Sequence, residues 1–428
     1  MSQRIVFFDK LIFFIFYCLL IVDSINGFLL TSGVSISLSQ IVKTPLLVLM
    51  LYRTLMLNRK YFIHILVILF ILLFSVAINY FKLGIINIAK EFVIITKLLI
   101  IPVSVYYFVE ISKLDFRNYL KIITRIFIIS FFIIFVNIAL GVLGFGFDQY
   151  TGGIGKKGFF YAGNELSILY VVIYSALMYI IFNRFSKWKY FIFATIGFFV
   201  GLFISTKVSM LSIIILTFMI PLLSTKWQIT TKKALALFFS VGGLFFILTL
   251  ISNFLEDIGF FDKWVYFLRY YDYNYVSIIL SGRDRFLADA VEMSLSFKSE
   301  FHILFGYSFE GFMQLFEQNS MKKAHSIEMD FFDLYFFYGL FGLLAVLSVW
   351  FYSIYYYLAN KNDNKVIFFT VILILIISFL SGHVLYSGLS GPFVGLYLSL
   401  LFQKEIFINE YSNLNAFSFR NTKNTKTK

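Results

Sequence analysis

Most of the side chains that could do chemistry lie in one stretch of the sequence, residues 281–342. It opens on Ser281-Gly282-Arg283-Asp284-Arg285 and continues to His325 and Glu328. Arginine presents a planar fork of N–H donors that matches phosphate and carboxylate oxygens. Histidine can take a proton from an attacking hydroxyl near neutral pH. These residue types favour group transfer from an anionic leaving group, with Arg283 as the anion ligand and His325 as the base.

A helix is predicted to begin at the two arginines. Ser281 and Asp284 fit a capping box, and apolar residues follow at helical spacing. Arg283 and Arg285 then lie in the first turn, where the helix dipole is already positive. A bound phosphate would resolve this accumulation of positive charge. Alternatively, an arginine pairs with Asp284, Asp289 or a lipid headgroup.

The four histidines differ in their surroundings. His325 precedes a long apolar run and is predicted to lie at the membrane surface, with Glu328 one turn away to orient its imidazole. A structural or surface role is the alternative for His325. His302 lies among apolar residues and is expected to be packed, and His64 lies near one end of a predicted span. His383 sits in a glycine-containing turn and is a reserve candidate.

Glu328-Met329-Asp330 is a candidate metal site, because it resembles the acidic triplet that many glycosyltransferases use with a divalent ion. Carboxylates this close can bind Mg²⁺. Equally, acidic residues suit the first turn of a helix. We favour the second interpretation and predict no metal ligand.

Two further basic sites precede this stretch. Ser205-Thr206-Lys207 interrupts a long apolar run between basic flanks, which predicts two short spans with Lys207 at or below the outer surface. A lysine there requires a wet cavity or an anion, unless it snorkels to the interface. The glycine-rich loop around Lys156 and Lys157 is predicted to be a lid against a lipid-linked phosphate. This loop is not a P-loop, because it lacks the Lys-Ser/Thr ending and the preceding strand of that motif.

Composition defines the elements that position these residues. The chain has 428 residues, of which 60% are hydrophobic and 14% charged, whereas soluble proteins carry about 25% charged residues. Apolar runs long enough for a bilayer core of about 30 Å recur throughout. We therefore predict an all-α polytopic integral membrane protein. The net charge of +13 indicates basic cytoplasmic loops and not nucleic-acid binding. A single cysteine, Cys18, permits no disulfide within the chain.

About twelve transmembrane helices are predicted. They lie at 5–22, 34–52, 61–81, 91–109, 122–143, 165–182, 190–206, 208–223, 233–251, 331–358, 366–382 and 385–402. They divide the chain into nine N-terminal helices (1–251), a large periplasmic loop (252–330), three C-terminal helices (331–402) and a cytoplasmic tail (403–428). The connections between spans alternate between the two sides of the membrane, and those on one side hold most of the lysines and arginines. Both termini lie on that basic side, which is therefore predicted to face the cytoplasm. The first run lacks a small-residue cleavage site and is predicted to be a retained span.

Several short motifs together resemble the O-antigen polymerase and O-antigen ligase family. The C-terminal signature of that family is similar to Ser281-Gly282-Arg283, Gly306-Tyr307, His325-Ser326 and Gly339-Leu340-Phe341-Gly342. Upstream, Ala162-Gly163-Asn164-Glu165-Leu166-Ser167 resembles a Gly/Asn stretch that opens a middle span of the family. Ser205-Thr206-Lys207 resembles its Thr-Ser-Arg turn. The resemblance covers residues from about 160 to 345.

This resemblance implies glycan transfer from an undecaprenyl diphosphate carrier at the outer face of the bacterial inner membrane, without metal, nucleotide or other cofactor. Arg283 and Lys207 would hold the diphosphate, and His325 would activate the acceptor hydroxyl. Further substrate contacts are assigned to Arg285, Lys156, Lys157, Asn164 and Glu328. The implied partners are the lipid-linked oligosaccharide, membrane lipids, a chain-length regulator and a flippase.

Two departures from the family pattern bear on function. Lys207 stands where the family often has arginine, which loses bidentate phosphate contact. The longer spacing from His325 to Gly339 favours a polymerase. We therefore expect a polysaccharide (O-antigen or capsule) polymerase, with an O-antigen ligase acting on lipid A–core as the alternative. A flippase or exporter is less favoured, because the span interiors hold almost no charge apart from Lys97.

Overall fold

The computed structural model describes residues 5–34, 37–83, 87–150, 155–224, 268–271, 273–296, 300–320, 325–360 and 362–403. Helices dominate these residues. An apolar chain of this kind satisfies its backbone N–H and C=O groups within helices, because lipid offers no hydrogen-bond partners. Nine described helices are long and apolar enough to cross a membrane. The chain is therefore a multi-pass α-helical membrane protein, as predicted.

The helices are numbered here in chain order over the described residues. The first eight are α1 (Phe7–Thr31), α2 (Leu38–Leu57), α3 (Arg59–Leu83), α4 (Ile88–Leu114), α5 (Phe116–Val142), α6 (Gly163–Arg184), α7 (Lys187–Ile204) and α8 (Lys207–Ser224). Four short helices follow: α9 (Tyr275–Leu280), α10 (Arg283–Ser296), α11 (Glu300–Phe305) and α12 (Phe309–Ser320). The chain then forms α13 (Asp330–Ala359), α14 (Lys365–Ser381) and α15 (Gly391–Ser399), which a 3-10 turn (Leu400–Phe402) extends.

The predicted spans agree with this order wherever the structure describes the chain. The break at Ser205-Thr206 is present, between α7 and α8. The last apolar helix begins at Gly391, later than the predicted span, because residues 382–390 form a turn. The predicted span 233–251 lies outside the described residues, as do 225–267 generally and the tail from 404 onward. The total number of spans stays a prediction.

Helices α4 and α6 form the centre of the bundle, since 78% and 83% of the residues in their most apolar stretches are buried. The outer helices expose apolar side chains such as Phe81 and Phe132, which in water would be unfavourable. Burying both faces of α4 and α6 requires a layer of helices around them, and this layer carries the lipid-facing surface. The pattern explains why the chain is apolar throughout and not only along one stripe.

Buried ion pairs join the helices at both ends of the bundle. At one end Arg53 of α2 pairs with the fully buried Asp9 of α1, at 2.9 Å between Nε and Oδ1. At the other end Lys43 of α2 pairs with Asp23 of α1, at 2.6 Å. We call the second end, which also holds His383, the site end. A charge buried in a helical bundle is tolerated when it is paired in this way.

The segment 300–320 is attached to the bundle through two glycines. Helix α13 breaks at Gly339, which has φ 68° and ψ −170°. A Cβ on Gly339 would collide with the backbone of Leu304 and Phe305, and a Cβ on Gly306 would collide with the backbone of Phe337. The N–H of Tyr307 donates to the carbonyl of Phe336, at 2.8 Å. Backbones that pass this closely require glycine at both positions.

We predict that Gly339→Ala destabilises the protein by more than about 3 kcal/mol, because it adds a strained φ and a backbone collision. Gly33 is a matched control, since it also has positive φ (82°) but nothing within 4 Å of an added Cβ. Gly33→Ala should cost only about 1 kcal/mol. Thermal unfolding of the purified variants in detergent measures both. Equal losses would show that the close approach at Gly339 contributes nothing.

Candidate functional site

Four turns meet at the site end, and each contains a residue other than glycine with left-handed backbone. These are Ser205 (φ 61°), Ser281 (φ 58°), Glu328 (φ 61°) and His383 (φ 64°). Only Tyr273 and Ser308 share this conformation among the other described non-glycine residues. Such residues cost about 1–3 kcal/mol each and are concentrated at functional sites. Their convergence marks the candidate site.

Arg283 and Glu328 form the central ion pair of this site. The distance between Arg283 Nη2 and Glu328 Oε2 is 2.9 Å, and Arg283 is 8% exposed. Its Nη1 also donates to the Leu280 carbonyl, at 3.3 Å. No described residue accepts a hydrogen bond from its buried Nε. Arg283 therefore retains one buried donor that a substrate oxygen could use.

His383 is the second basic residue beside Glu328. Its Nε2 lies 3.4 Å from Glu328 Oε2. Burial acts to raise the pKa of Glu328, but hydrogen bonds and charges from His383 and Arg283 outweigh it and lower the pKa to about 2. Burial likewise acts to lower the pKa of His383, but Glu328 above all, with Asp330 and Glu165, raises it. The two groups thus stabilise each other's charged forms.

Asp330 fixes the turn that carries His383. This fully buried carboxylate accepts three successive backbone N–H groups of residues 383–385, at 2.7 to 2.9 Å, and the Ser378 hydroxyl at 2.8 Å. Hydrogen bonds to an ionised acceptor are about twice as strong as neutral ones. Because Asp330 follows Glu328 by two residues, this contact sets the position of both Glu328 and His383.

The acidic triplet starts helix α13, in agreement with the interpretation we favoured. Asp330 and Asp333 lie in its first turn. Asp333 accepts from the N–H of Ile327 and the hydroxyl of Tyr386, both at 2.8 Å. The three carboxylates of Glu328, Asp330 and Asp333 therefore each serve a different partner. No group of three or more potential metal ligands occurs within the described residues.

Lys207 turns into the protein. Its Nζ donates to the carbonyl of Ile278 and to the hydroxyl of Ser281, the latter at 3.0 Å. It is close enough to Arg283 for the two charges to repel. In this arrangement the Lys207 ammonium is bonded to acceptors of the protein. The structure brings Lys207 and Arg283 together, as the sequence-based hypothesis required.

His325 lies beside this cluster. Its ring packs on Phe286 and Phe316, with centroids 3.9 and 5.2 Å away. Its Nδ1 lies 2.9 Å from the Ser326 carbonyl, which can only accept, so Nδ1 donates and, in a neutral ring, Nε2 is the proton acceptor. Phe286 is one turn from Arg283 on α10. His325 is thus near the arginine and has the tautomer of a base.

Two predictions about this region are wrong. Glu328 does not orient His325, because its left-handed backbone directs the carboxylate to Arg283 and His383. Ser281 and Asp284 do not form a capping box. Ser281 instead ends helix α9, and Asp284 Oδ2 accepts from the Ser277 hydroxyl at 2.5 Å. The negative partner of Arg283 is a carboxylate 45 residues away in the sequence.

The predicted lid is a short hairpin of β1 (Phe147–Asp148) and β2 (Lys156–Gly158). Residues 151–154 lie outside the described residues. Gly155 approaches Ser205 so closely that an added Cβ would lie 2.8 Å from Ser205 Cβ. The hairpin therefore rests on the turn between α7 and α8, next to Lys207.

The remaining predicted contacts lie at the margin of the site. Lys156 pairs with Asp148 at 2.7 Å, and Lys157 donates to the Tyr161 carbonyl at 3.0 Å. Burial lowers the pKa of Lys157, although Asp148 acts to raise it. Arg285 is exposed and stacks over Tyr271, 5.4 Å from the ring centroid. Asn164 is half-buried in the first turn of α6.

Sequence reasoning underrated His383 and missed Asp330 as the residue that organises the site. The available signal was Gly382-His383, a glycine and histidine directly after an apolar span. Gly382 has φ 61°, and a Cβ there would collide with the backbone of Glu328. Such contact between two remote loops cannot be read from spacing.

Fold and site together define a multi-pass α-helical membrane protein with a partly buried cationic cluster at one end. In comparisons with known proteins, no family model, no curated protein and no solved structure matches this chain. The functional argument therefore depends on the chemistry of the site itself.

We predict that the coupling between Glu328 and His383 is lost as pH rises. The pKa of His383 is raised on folding, so its stabilising charge is fully present below about pH 6.5 and disappears as pH rises through the folded pKa. Glu328 stays ionised across this range. A double-mutant cycle with Glu328→Gln and His383→Gln, read as unfolding temperature at about pH 5.5 and 8.5, measures the coupling.

The Glu328–Arg283 cycle is the control for this experiment. A guanidinium stays protonated in proteins, so that coupling should be the same at both pH values. If the Glu328–His383 coupling were also independent of pH, the ion pair between them would not form in the folded protein.

Proposed function

We propose that this protein is a polysaccharide polymerase. It would transfer a glycan from undecaprenyl diphosphate onto another lipid-linked repeat unit at the outer face of the bacterial inner membrane. The observation that carries this proposal is the meeting of Lys207 and Arg283 beside a histidine in base-competent form, His325, at one end of a membrane bundle.

The cations suit a diphosphate leaving group. When the bond from the sugar to the diphosphate breaks, negative charge develops on the leaving oxygen. Arg283 offers its unpaired Nε, and Lys207 is held beside it by Ser281 and the Ile278 carbonyl. Because these groups are fixed before substrate arrives, little reorganisation is needed. Glu328 holds the arginine and limits the repulsion between the cations.

His325 supplies the proton acceptor in this scheme. The acceptor hydroxyl oxygen attacks the anomeric carbon, and the carbon–oxygen bond to the diphosphate breaks. The bonding electron pair leaves with the diphosphate, and the hydroxyl proton passes to Nε2 of His325. In a neutral imidazole, the hydrogen bond from Nδ1 to the Ser326 carbonyl leaves Nε2 as the proton acceptor.

The resemblance to O-antigen polymerases and ligases supports the same chemistry. Its Gly306-Tyr307 and Gly339 motifs coincide with the close backbone approach that holds segment 300–320. The basic loops predicted at the other end support placing the site end outside the cytoplasm. On this proposal a flippase delivers the lipid-linked glycan and a chain-length regulator acts on the product.

We predict that Arg283→Ala and His325→Ala each abolish long-chain product, at least 100-fold, because they remove leaving-group stabilisation and the base. The measurement is the glycan profile of a strain deleted for the gene and complemented with each variant. Immunoblotting of membranes confirms that each variant is present. Arg117→Ala and His302→Ala, which change residues outside the proposed site, should retain long chains.

The same profile separates polymerase from ligase. Loss of a polymerase leaves single repeat units on the lipid core, whereas loss of a ligase leaves lipid A–core bare. Normal chain lengths in either variant would mean that its assigned role is wrong.

Lys207 gives a separate prediction based on charge. Lys207→Arg keeps the cation and should retain most activity, whereas Lys207→Ala should lose at least tenfold through weaker diphosphate binding. Initial rates at several substrate concentrations in membranes would show the loss in kcat/KM, because Lys207 is proposed to contact the diphosphate both on binding and on leaving. Equal activity of the two variants would restrict Lys207 to a structural contact with Ser281 and Ile278.

A further inference from the structure

A cavity of about 340 Å³ lies at the site end, between α1, α2, α4 and α6. Its walls include Asp23, Lys43, Lys97 and Glu165, together with the turn at Gly388-Leu389. Cavities of roughly 300–1,000 Å³ commonly hold small molecules or parts of larger ones. Arg283 and Lys207 do not line this cavity, so it is distinct from the cluster described above.

One of its two lysines is already neutralised. Lys43 Nζ lies 2.6 and 2.8 Å from the two carboxylate oxygens of Asp23. The Ser39 hydroxyl donates to the same carboxylate, at 2.6 Å. This pair is buried and well bonded, which is typical of a structural contact between helices.

Lys97 has no such partner. It lies nine residues after Ile88, at the start of α4, which is roughly 14 Å along the helix. Its Cε lies 3.5 Å from the position of a Cβ on Gly388, so the side chain reaches the turn. Within the described residues it forms no ion pair or hydrogen bond. A lysine at this depth in a span is costly and is usually kept for function.

The nearby carboxylate of Glu165 has a different task. Its Oε2 accepts from the Ser387 hydroxyl at 2.6 Å and from the Leu389 N–H at 2.8 Å. Glu165 thereby holds the turn that runs from His383 to Leu389. At one end of this turn His383 contacts Glu328, and at the other end Leu389 lines the cavity. A ligand in the cavity would therefore lie next to the site.

We propose that this cavity is a second anion-binding subsite, in which Lys97 is the counterion of an oxyanion on the acceptor substrate. The oxyanion is a phosphate of the lipid carrier or a carboxylate of an acidic sugar. Joining two lipid-linked glycans brings two negatively charged molecules together, and they repel unless separate cations hold them. The identity of the substrate rests on the proposed function, whereas the anion site rests on the cavity and Lys97.

Isothermal titration of the full-length protein in neutral detergent tests this subsite. The probes are geranyl diphosphate, which carries the phosphates without a sugar, and glucuronate, which carries a sugar carboxylate. Lys97→Met should remove one bound equivalent of a probe or weaken its binding at least tenfold, about 1.4 kcal/mol. Lys97→Arg should bind it within a few-fold of the native protein. Lys60→Met, an exposed lysine at the other end, is the matched control.

The pattern of losses identifies the oxyanion. Loss of diphosphate binding in Lys97→Met supports the carrier phosphate, and loss of glucuronate binding supports the sugar carboxylate. Unchanged binding of both probes, or an equal loss in Lys60→Met, would overturn the subsite. If Lys207→Met binds normally while Lys97→Met does not, the subsite stands and the proposed function fails.

Thermal stability without any probe gives an independent reading. Lys97→Met should unfold at the same temperature as the native protein or higher, because it removes an uncompensated charge from the bundle. A clearly lower unfolding temperature would show that Lys97 is a structural residue and would contradict the proposal.

Discussion

The site depends on one buried carboxylate. Asp330 is fully buried and accepts three successive backbone N–H groups of residues 383–385. A turn with that many unpaired donors would not stay inside a membrane bundle. The Asp330 carboxylate accepts hydrogen bonds from the backbone donors of the turn. These donors in return compensate the cost of burying the carboxylate. His383 and Glu328 take their places as a consequence.

Rigid helices allow this contact to persist. Glu328 and His383 both have left-handed backbone, and so does Ser281, which contacts Lys207. Each such residue costs free energy that must be recovered elsewhere. The packing of the helices that carry these turns offsets this cost. Ion pairs such as Arg53–Asp9 join helices at the opposite end of the bundle. The strained end of the bundle is therefore the end where side chains of remote segments meet.

The sequence predicted the helices well because their signal is local. Apolar runs, basic flanks and the polar break at Ser205-Thr206 are all visible within a window of about twenty residues. The partners of the charged groups were not visible. Nothing in the spacing of Arg283 indicates Glu328, and the capping box at Ser281 was a plausible local pattern that a tertiary contact overrode. Positive φ at Glu328 and His383 has no sequence signal in residues other than glycine.

Two lysines at the site end, Lys43 and Lys97, show that the burial of a charged group must be considered together with its counterion. Lys43 is buried, but its charge is neutralised by Asp23, so it needs no further counterion. Lys97 lies farther along its helix, beside a cavity, without such a partner among the described residues. An ammonium within a membrane span is costly unless it is paired or faces a wet cavity. The counterion that we propose for Lys97 comes from a substrate in this cavity, whereas Lys43 has its counterion within the chain.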